Sequence, residues 1–265
     1  MNNLHRDLAP LSAAAWADLE DEARRTFTAH VAGRRVVDVV GPVGAEFAAV
    51  GTGHLQELEA PQSGVRARLR EVLPVVELRV PFTVARAAID DVERGAKDSD
   101  WQPAKDAAKS LAFTEDRLVF DGLASAGIAG LRVQAPSTVG LPSDASGFPT
   151  AVATALSALR LAGVSGDYAL LLSADAYTAV NETTEHGYPI RQHIQRVLGD
   201  AGSIVWAPAI SGAVLLTTRG GDYELHIGQD VSIGYLSHDA DSVQLYLEES
   251  ISFRANTSEA AVNLS

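Results

Sequence analysis

Apolar residues at helical spacing open the chain. They are Trp16, Leu19, Ala23, Phe27 and Val31. Their recurrence every three or four residues predicts an amphipathic helix, whose opposite face carries charged side chains. Pro10 and Ser12 suit the start of this helix, and Gly33 suits its end. The pattern by itself favours an ordinary surface helix with one buried side.

A long hairpin is predicted after this helix. Residues 47–58 and 65–80 have the pattern of two extended arms, joined by a turn at residues 60–64. The second arm alternates apolar with basic positions, in the order Val65, Arg66, Ala67, Arg68, Leu69, Arg70. An isolated two-stranded hairpin is marginally stable in water, so it must pack on its own sheet or on another subunit. The pattern alone slightly favours the chain's own sheet.

Two helices are predicted after the hairpin. The first has an apolar side formed by Val84, Ala88, Ile89 and Val92. Thr83 can cap its start, and Gly95 can end it. Asp100 can cap the second helix, which the apolar pattern carries to about Gly127. At that length the second helix is a candidate for the central helix of the fold.

The rest of the chain has two segments with different predicted secondary structure. Residues 130–219 alternate between helix and strand, which indicates a compact α/β lobe. The predicted elements of this lobe are a helix at 150–161, a strand at 168–173, a pair of helices flanking the loop around His186, and strands at 203–206 and 213–218. From residue 223 to 253 the apolar positions follow a period of two, which predicts paired strands. The predicted fold class is α+β.

The composition is that of a globular protein. The chain has 265 residues, of which 46% are hydrophobic and 21% charged, enough for one large domain or two small ones. Its 34 acidic and 21 basic residues give a formal net charge of −13. So acidic a surface repels phosphate backbones, which argues against nucleic acid as a partner.

Features of targeting and redox chemistry point to the cell interior. Cysteine is absent, which excludes disulfides and thiolate metal sites. The first eight residues lead into no apolar segment of the kind that secretory signals have. The best candidate for a membrane span, residues 72–76, is short and is interrupted by Pro74. These features predict a cytoplasmic protein without membrane insertion.

Candidate catalytic residues are weak. Residues 163–167 resemble a nucleophile elbow but lack its final glycine, and they precede a strand instead of following one. Ser173, Asp175 and His186 are close in sequence, yet nothing in their spacing marks them as a triad. Residues 51–53 lack the third glycine of a dinucleotide fingerprint, and no helix follows them. We therefore predict no catalytic residue.

Candidate metal ligands are no stronger. His186 and His193 are seven residues apart and can share one helix face, but no carboxylate stands at ligand spacing beside them. His238, Asp239 and Asp241 lack the glycine and the terminal glutamate of a calcium loop, so a solvated acidic turn fits them better. We predict no metal site.

Several blocks of residues resemble the encapsulin shell proteins, once described as linocin-type bacteriocins. The blocks are LAPL at 8–11 with Trp16, GRRVVDV at 33–39 with Gly41-Pro42, DDVERG at 90–95, HGYPI at 186–190, RGGD at 219–222 and IGQDVSIGY at 227–235. The likeness runs nearly end to end, is weak only at residues 132–149, and is strongest to the mycobacterial members. Multi-residue blocks in the right order are far more specific than the single motifs above.

The resemblance implies the Hong Kong 97 phage-capsid-like fold. The implied divisions are an interior N-terminal helix region (1–38), a peripheral domain (39–46, 81–129 and 220–265), an extended loop (47–80) and an axial domain (130–219). In this arrangement the hairpin packs on a neighbouring subunit, and the first helix lines the interior of the shell.

The function that the resemblance implies is structural and not enzymatic. The chain would assemble with itself into an icosahedral shell, most simply a 60-mer, and enclose a dye-decolorising peroxidase or a ferritin-like protein by its C-terminal tail. The implied cargo-peptide site consists of Phe27, Val31, Arg34, Asp38, Asp230, Val231 and Ile233. The implied five-fold pore consists of Glu182, Glu185, His186, Gly187 and Tyr188.

One departure and two alternatives accompany this resemblance. Some relatives stack a flavin on an exposed aromatic residue after the hairpin; here residues 84–88 are Val-Ala-Arg-Ala-Ala, so we predict no flavin and no other cofactor. A phage major capsid protein would share the fold, but its expected scaffolding region has no room before a helix that starts by about residue 12. An independent protease or bacteriocin would need an active site that the motifs do not provide.

Overall fold

The computed structural model describes residues 3–185 and 187–265. Its helices are α1 (Ala13–His30), α2 (Arg86–Glu93), α3 (Gln102–Phe120), α4 (Leu131–Gln134), α5 (Phe148–Leu161), α6 (Ala174–Glu182) and α7 (Ile190–Leu198). Its strands are β1 (Asp38–Val40), β2 (Ala49–Leu58), β3 (Ala67–Pro74), β4 (Val76–Ala85), β5 (Gly122–Leu123), β6 (Ile128–Ala129), β7 (Ser137–Val139), β8 (Tyr168–Leu172), β9 (Thr184–Glu185), β10 (Tyr188–Pro189), β11 (Ser203–Trp206), β12 (Ala213–Thr217), β13 (Tyr223–Ile227), β14 (Ser232–His238), β15 (Ser242–Ala255) and β16 (Ala261–Leu264).

The first lobe is a sheet covered on one face by helices. β15 lies at its centre, with β4 along one side and β13 followed by β14 along the other, and β1 pairs with β13 at the edge. Val243, Leu245 and Leu247 alternate along β15 and are buried in one core with residues of α1 and α3. Alternation with a period of two therefore puts one row of β15 side chains under the helices.

The first helix confirms the sequence prediction. α1 begins after Ser12, whose Oγ accepts a hydrogen bond from the Ala15 N–H at 3.1 Å, so the serine caps the first turn. The predicted apolar stripe is buried against α3. The indole N–H of Trp101 donates to Asp18 Oδ2 at 2.8 Å, which ties the start of α3 to α1.

The second lobe is the predicted α/β unit. Its sheet has the order β11–β8–β12–β16–β7. β8 and β12 are buried at every position because both faces of the sheet are covered, and α5, α6 and α7 contribute apolar side chains to the same core. α5, β8 and β11 lie where the sequence predicted them.

The prediction of a helix capped by Thr83 is wrong. β4 continues to Ala85, which pairs with Ser242 of β15, and α2 begins only at Arg86. Val84 is therefore a buried strand residue and not part of the helix. Long-range pairing with β15 outweighs the local capping signal, which is a weak preference compared with a ten-residue ladder.

The central helix also ends earlier than predicted. α3 stops at Phe120 and not near Gly127, because the chain turns back at Gly122, where φ is +82°. A Cβ atom at Gly122 would lie 2.4 Å from the backbone nitrogen of Gly130, so only glycine allows the two strands β5 and β6 to approach. This short hairpin leads into the second lobe.

Two predicted boundaries change. The second arm of the hairpin ends at Pro74, and residues 76–80 belong to β4 in the first sheet, where β15 pairs with them. At the other end of the chain, residues 261–264 form β16, which pairs with β12 and β7 of the second sheet. The segment 220–265 therefore does not stay in the first lobe to its end. Among the described residues, no helix has the length and apolar character that a membrane crossing needs.

Candidate functional site

A groove lies between α1 and the start of β14. It encloses about 220 Å³ and is lined by Glu20, Ala23, Arg24, Phe27, Thr28, Arg34, Asp230, Val231, Ser232, Ile233 and Leu247. The floor is apolar: Phe27 and Ile233 are nearly fully buried, and both belong to the core beneath α1. The rim is charged on both sides. Amphipathic α1 therefore supplies both the floor and one rim.

Arg34 is the centre of the polar side of the groove. Its Nε lies 2.9 Å from both carboxylate oxygens of Glu115, and its Nη2 lies 2.6 Å from Glu115 Oε2. Nη1 donates to Asp230 Oδ1 at 2.9 Å, and Nη2 also reaches Glu249 Oε2 at 3.1 Å. The guanidinium lies over the Phe27 ring, 4.8 Å from its centroid. One side chain therefore joins α1, α3, β15 and the loop before β14.

The turn that carries Arg34 is held by a buried carboxylate. Asp116 accepts hydrogen bonds from the backbone N–H groups of Ala32 (3.0 Å) and Gly33 (2.7 Å). A Cβ atom at Gly33 would lie 3.2 Å from Asp116 Oδ1, so a larger residue would press on this contact. Burial raises the pKa of Asp116 to about 7, although the hydrogen bonds from Gly33 and Ala32 act in the opposite direction.

The carboxylates around Arg34 perturb one another. Burial, followed by the neighbouring Glu115, raises the pKa of Glu249 well above its usual range. Desolvation disfavours the charge on Arg34, but the hydrogen bond and charge of Glu115, together with Asp230 and Glu249, raise its pKa further above the ordinary arginine value. Arg34 is therefore always cationic, and burial beside Glu115 favours the protonated form of Glu249.

Five of the predicted cargo-site residues meet in the groove: Phe27, Arg34, Asp230, Val231 and Ile233. Val31 does not line it: its backbone N–H closes the last turn of α1 on the Phe27 carbonyl, and its side chain is buried in the core. Asp38 lies outside it and accepts a hydrogen bond from the Gly221 N–H at 2.5 Å. Arg34 is mostly buried, since only 20% of its side chain is exposed.

Four charged residues that line the groove or lie beneath it were not predicted as part of the site. Glu20 and Arg24 share a helix face with Phe27, so their spacing was a usable signal. Glu115 and Glu249 are completely buried. In the sequence each is flanked by polar or acidic residues, a pattern typical of exposed segments. Nothing in a single sequence separates a buried carboxylate from a solvated one in such a stretch.

The predicted pore residues lie at one end of the second lobe. Glu182 ends α6, Glu185 lies in β9 and Tyr188 lies in β10, which pairs with β9. Tyr188 is 57% exposed, and its ring centroid lies 5.9 Å from that of His193. Gly187 has a φ of +85°, so it occupies the turn. His186 lies outside the described residues.

The β2–β3 hairpin has an apolar surface that the described part of its own chain leaves uncovered. Leu55 and Leu69 are about half exposed (48% and 50%), and the exposed set also includes Leu58, Val65 and Val72. The hairpin pairs with neither of the two large sheets. At its base, Arg254 Nη1 donates to the Gly51 carbonyl at 3.1 Å. This surface is a candidate contact with another subunit.

Residues of the weak catalytic and metal-binding motifs have structural roles. Ser173 Oγ accepts a hydrogen bond from the Ala176 N–H at 3.3 Å and so caps α6. Asp239 Oδ1 accepts hydrogen bonds from the Asp241 and Ser242 N–H groups, which builds the turn before β15. In the parts of the chain that the structure describes, no three histidine, aspartate or glutamate residues are grouped so as to hold a metal ion.

Comparison with known proteins gives concordant matches. A family model described as "Encapsulating protein for peroxidase" matches residues 1–252. Type 1 encapsulin shell proteins of Rhodococcus erythropolis and Mycobacterium tuberculosis are 63% and 58% identical to this chain, with both chains covered completely. The crystal structure of a virus-like particle from Pyrococcus furiosus superposes with a TM-score of 0.67 at 19% identity, covering 94% of this chain and 99% of that one. The capsid of Myoviridae phage XM1 gives 0.57 at 10% identity, covering 87% and 90%.

The solved structures confirm the predicted phage-capsid-like fold for the two lobes and the hairpin. The chain belongs to the encapsulin shell protein family, because the family model covers almost its whole length and relatives above 55% identity cover all of it. It is a structural protein that assembles with itself into an icosahedral shell.

Proposed function

We propose that this shell encloses cargo enzymes by binding their C-terminal tails in the groove between α1 and β14. The description of the family suggests a peroxidase as cargo. The resemblance narrows this class to a dye-decolorising peroxidase, with a ferritin-like protein as the other candidate. The observation that carries the proposal is the groove itself, in which charged side chains border an apolar floor. The shell itself would catalyse no reaction, and its cytoplasmic location stays a prediction from sequence.

The groove suits a short flexible tail. Such a peptide loses conformational entropy when it binds, so each site gives modest affinity and the apolar floor must supply most of it. The charged rim can fix the direction and register of the tail. Many identical grooves inside one shell add avidity for an oligomeric cargo, so that weak single sites suffice.

The assembly proposed is a 60-mer in which the hairpin of each subunit packs on its neighbour. The exposed leucines Leu55, Leu58 and Leu69 support this, since a soluble protein rarely leaves so many large apolar side chains of one element in water. In the same assembly, the β9–β10 turn would gather around the five-fold axis, so that Glu182, Glu185, His186, Gly187 and Tyr188 ring a pore.

The groove is tested by blocking it while its apolar floor and its charged groups stay in place. Thr28 is exposed at the edge of the groove, so Thr28→Trp places a large ring over the floor. Ala29→Trp is the matched control, because Ala29 is the adjacent exposed residue of α1 and does not line the groove. Each shell variant is co-expressed with a fluorescent protein that carries the C-terminal tail of a dye-decolorising peroxidase, and the fluorescence that co-purifies is measured.

Thr28→Trp should give shells of normal size with little fluorescence, while Ala29→Trp should load as the wild type does. Asp38→Lys should also load normally, because Asp38 lies at the Gly221 turn and not in the groove. Full loading of Thr28→Trp would place the tail site elsewhere.

A further inference from the structure

The cluster around Arg34 contains more carboxylates than cations. Arg34 contacts Glu115, Glu249 and Asp230 at distances between 2.6 and 3.1 Å. Glu115 and Glu249 are completely buried, whereas Asp230 is partly exposed at the groove. With all three carboxylates ionised, the cluster would carry two uncompensated negative charges, one of them deep in the core. The geometry therefore calls for a further positive charge or a proton.

No other cation of the described chain contacts the buried pair. The charged groups that face the cluster from its neighbours are Glu20 and Arg24 of α1 at the groove rim, Arg35 of the turn, and Asp116 of α3. Arg35 Nη2 donates instead to the Thr28 carbonyl at 2.9 Å, and Arg24 pairs with Asp21. Glu248, the neighbour of Glu249 on β15, points to the opposite face of the sheet and pairs with Arg79.

A proton is the group that completes the cluster. Oε1 of Glu249 is buried and has no hydrogen-bond partner among the described residues, and its carboxylate lies beside that of Glu115. Two buried carboxylates in contact cannot both be ionised at low cost, and a proton between them supplies the missing donor. The direction of the pKa change of Glu249, upward through burial and Glu115, agrees with this geometry.

We propose that Glu249 is a proton-operated latch beneath the groove. With Glu249 protonated, Arg34 holds the end of α1, the buried face of α3 and the loop at Asp230 in one arrangement. Loss of the proton adds a second buried negative charge beside Glu115, which weakens this joint. The two sides of the groove, Phe27 on α1 and residues 230–233, then separate more often. The latch regulates the groove proposed above, and only its effect on cargo depends on that proposal.

The latch is tested on cargo-free shells of the full chain by hydrogen–deuterium exchange at about pH 6 and about pH 8.5, corrected for intrinsic exchange rates. The expected result is faster exchange of residues 27–34 and 230–233 at the higher pH. Where Glu249 titrates, the opening equilibrium should change by up to about tenfold per pH unit. Equal corrected exchange at both pH values would overturn the proposal.

Three variants assign the effect to Glu249. Glu249→Gln keeps the position neutral, so the exchange of residues 230–233 should become independent of pH. Glu248→Gln, which changes the adjacent carboxylate on the opposite face, should leave the pH dependence intact. Asp116→Asn removes the other titrating group and should also leave the response of 230–233 intact, since Asp116 holds the turn at 32–33. Persistence of the response in Glu249→Gln would contradict the assignment.

Infrared spectroscopy provides a second measurement. A protonated buried carboxyl group should give its C=O stretch at about pH 6 and lose it as the pH rises. Because Asp116 would give the same band in the wild-type shell, the spectrum is recorded on Asp116→Asn, and the absence of a titrating band there would also overturn the latch. The loading test is separate. If Thr28→Trp loses loading and exchange does not depend on pH, the groove proposal stands and the latch proposal fails. If Thr28→Trp loads fully and exchange depends on pH, the latch proposal stands and the groove proposal fails.

Discussion

Arg34 Nη1 and Asp230 Oδ1 lie 2.9 Å apart, although 196 residues separate them in sequence. The contact closes one side of the groove and joins the turn after α1 to the loop before β14. The same guanidinium also contacts the buried Glu115, so we expect this groove residue to contribute to the stability of the subunit. The proposed cargo site and the fold therefore depend on the same side chain.

Arg34→Glu should strongly destabilise the subunit. The substitution leaves Glu115 and Glu249 buried without their cation and adds a fourth carboxylate to the cluster. Breaking such a buried pair costs about 3–5 kcal/mol. Denaturant unfolding of the purified protein measures the loss. Arg24→Glu is the matched charge reversal at an exposed residue of the same groove, and it should change the stability by less than about 0.5 kcal/mol. Equal losses in both variants would show that Arg34 has no special role.

Asp116 should make the subunit less stable as the pH rises. Its pKa is raised to about 7 in the folded protein, so the folded state binds a proton that the unfolded chain releases nearer the usual carboxyl range. The stabilisation from this proton is complete at pH values below the usual carboxyl range. It is lost as the pH rises to about 7, where the free energy of unfolding falls by about 1.4 kcal/mol per pH unit.

The matching variant is Asp116→Asn. It should be less stable overall, because an amide has one acceptor oxygen for two backbone N–H groups, but its stability should fall less between acid and neutral pH. Carboxylates whose pKa is lowered, such as Asp222 beside Arg219, make the protein more stable as the pH rises. They are present in both proteins, so their contribution cancels in the comparison. The comparison of unfolding free energies at several pH values therefore isolates Asp116. Parallel curves would contradict the prediction.

Deleting residues 55–69 should abolish shell formation and leave a soluble or aggregating subunit. These residues form the tip of the hairpin, whose apolar side chains have no cover in the described chain, so their energy should come from a neighbouring subunit. Size-exclusion chromatography distinguishes shells from small species. A milder variant, Leu55→Ser with Leu69→Ser, should weaken assembly in the same direction. Intact particles in the deletion variant would remove the hairpin from the subunit contacts.

Glu185→Lys should change the passage of charged molecules without changing assembly. If five copies of the β9–β10 turn surround one axis, the substitution replaces a ring of five negative charges with five positive ones. The rate at which cationic and anionic substrates reach an enclosed peroxidase is the quantity to measure. Cationic substrates should be slowed and anionic ones accelerated; unchanged rates for both would place the pore elsewhere.

The order of elements and the family could be predicted from the sequence, but the buried charges could not. The α1 stripe, α5 and β8 follow from periodicity because each buries one face or both. The cap at Thr83 failed because a strand ladder formed with residues about 160 positions away, which local patterns do not contain. Asp38 is only four residues from Arg34, yet the turn at residues 33–35 directs the two side chains to different sites. The burial of Glu115 and Glu249 beside Arg34 could be found only from the three-dimensional structure.

The shell is the central claim, and negative-stain electron microscopy of the purified full chain tests it most directly. The fold and family predict uniform, closed and hollow particles of one diameter. Native mass spectrometry of the same sample should then give 60 subunits per empty particle if the smallest icosahedral shell forms. Small oligomers alone, or heads filled with nucleic acid, would contradict the account.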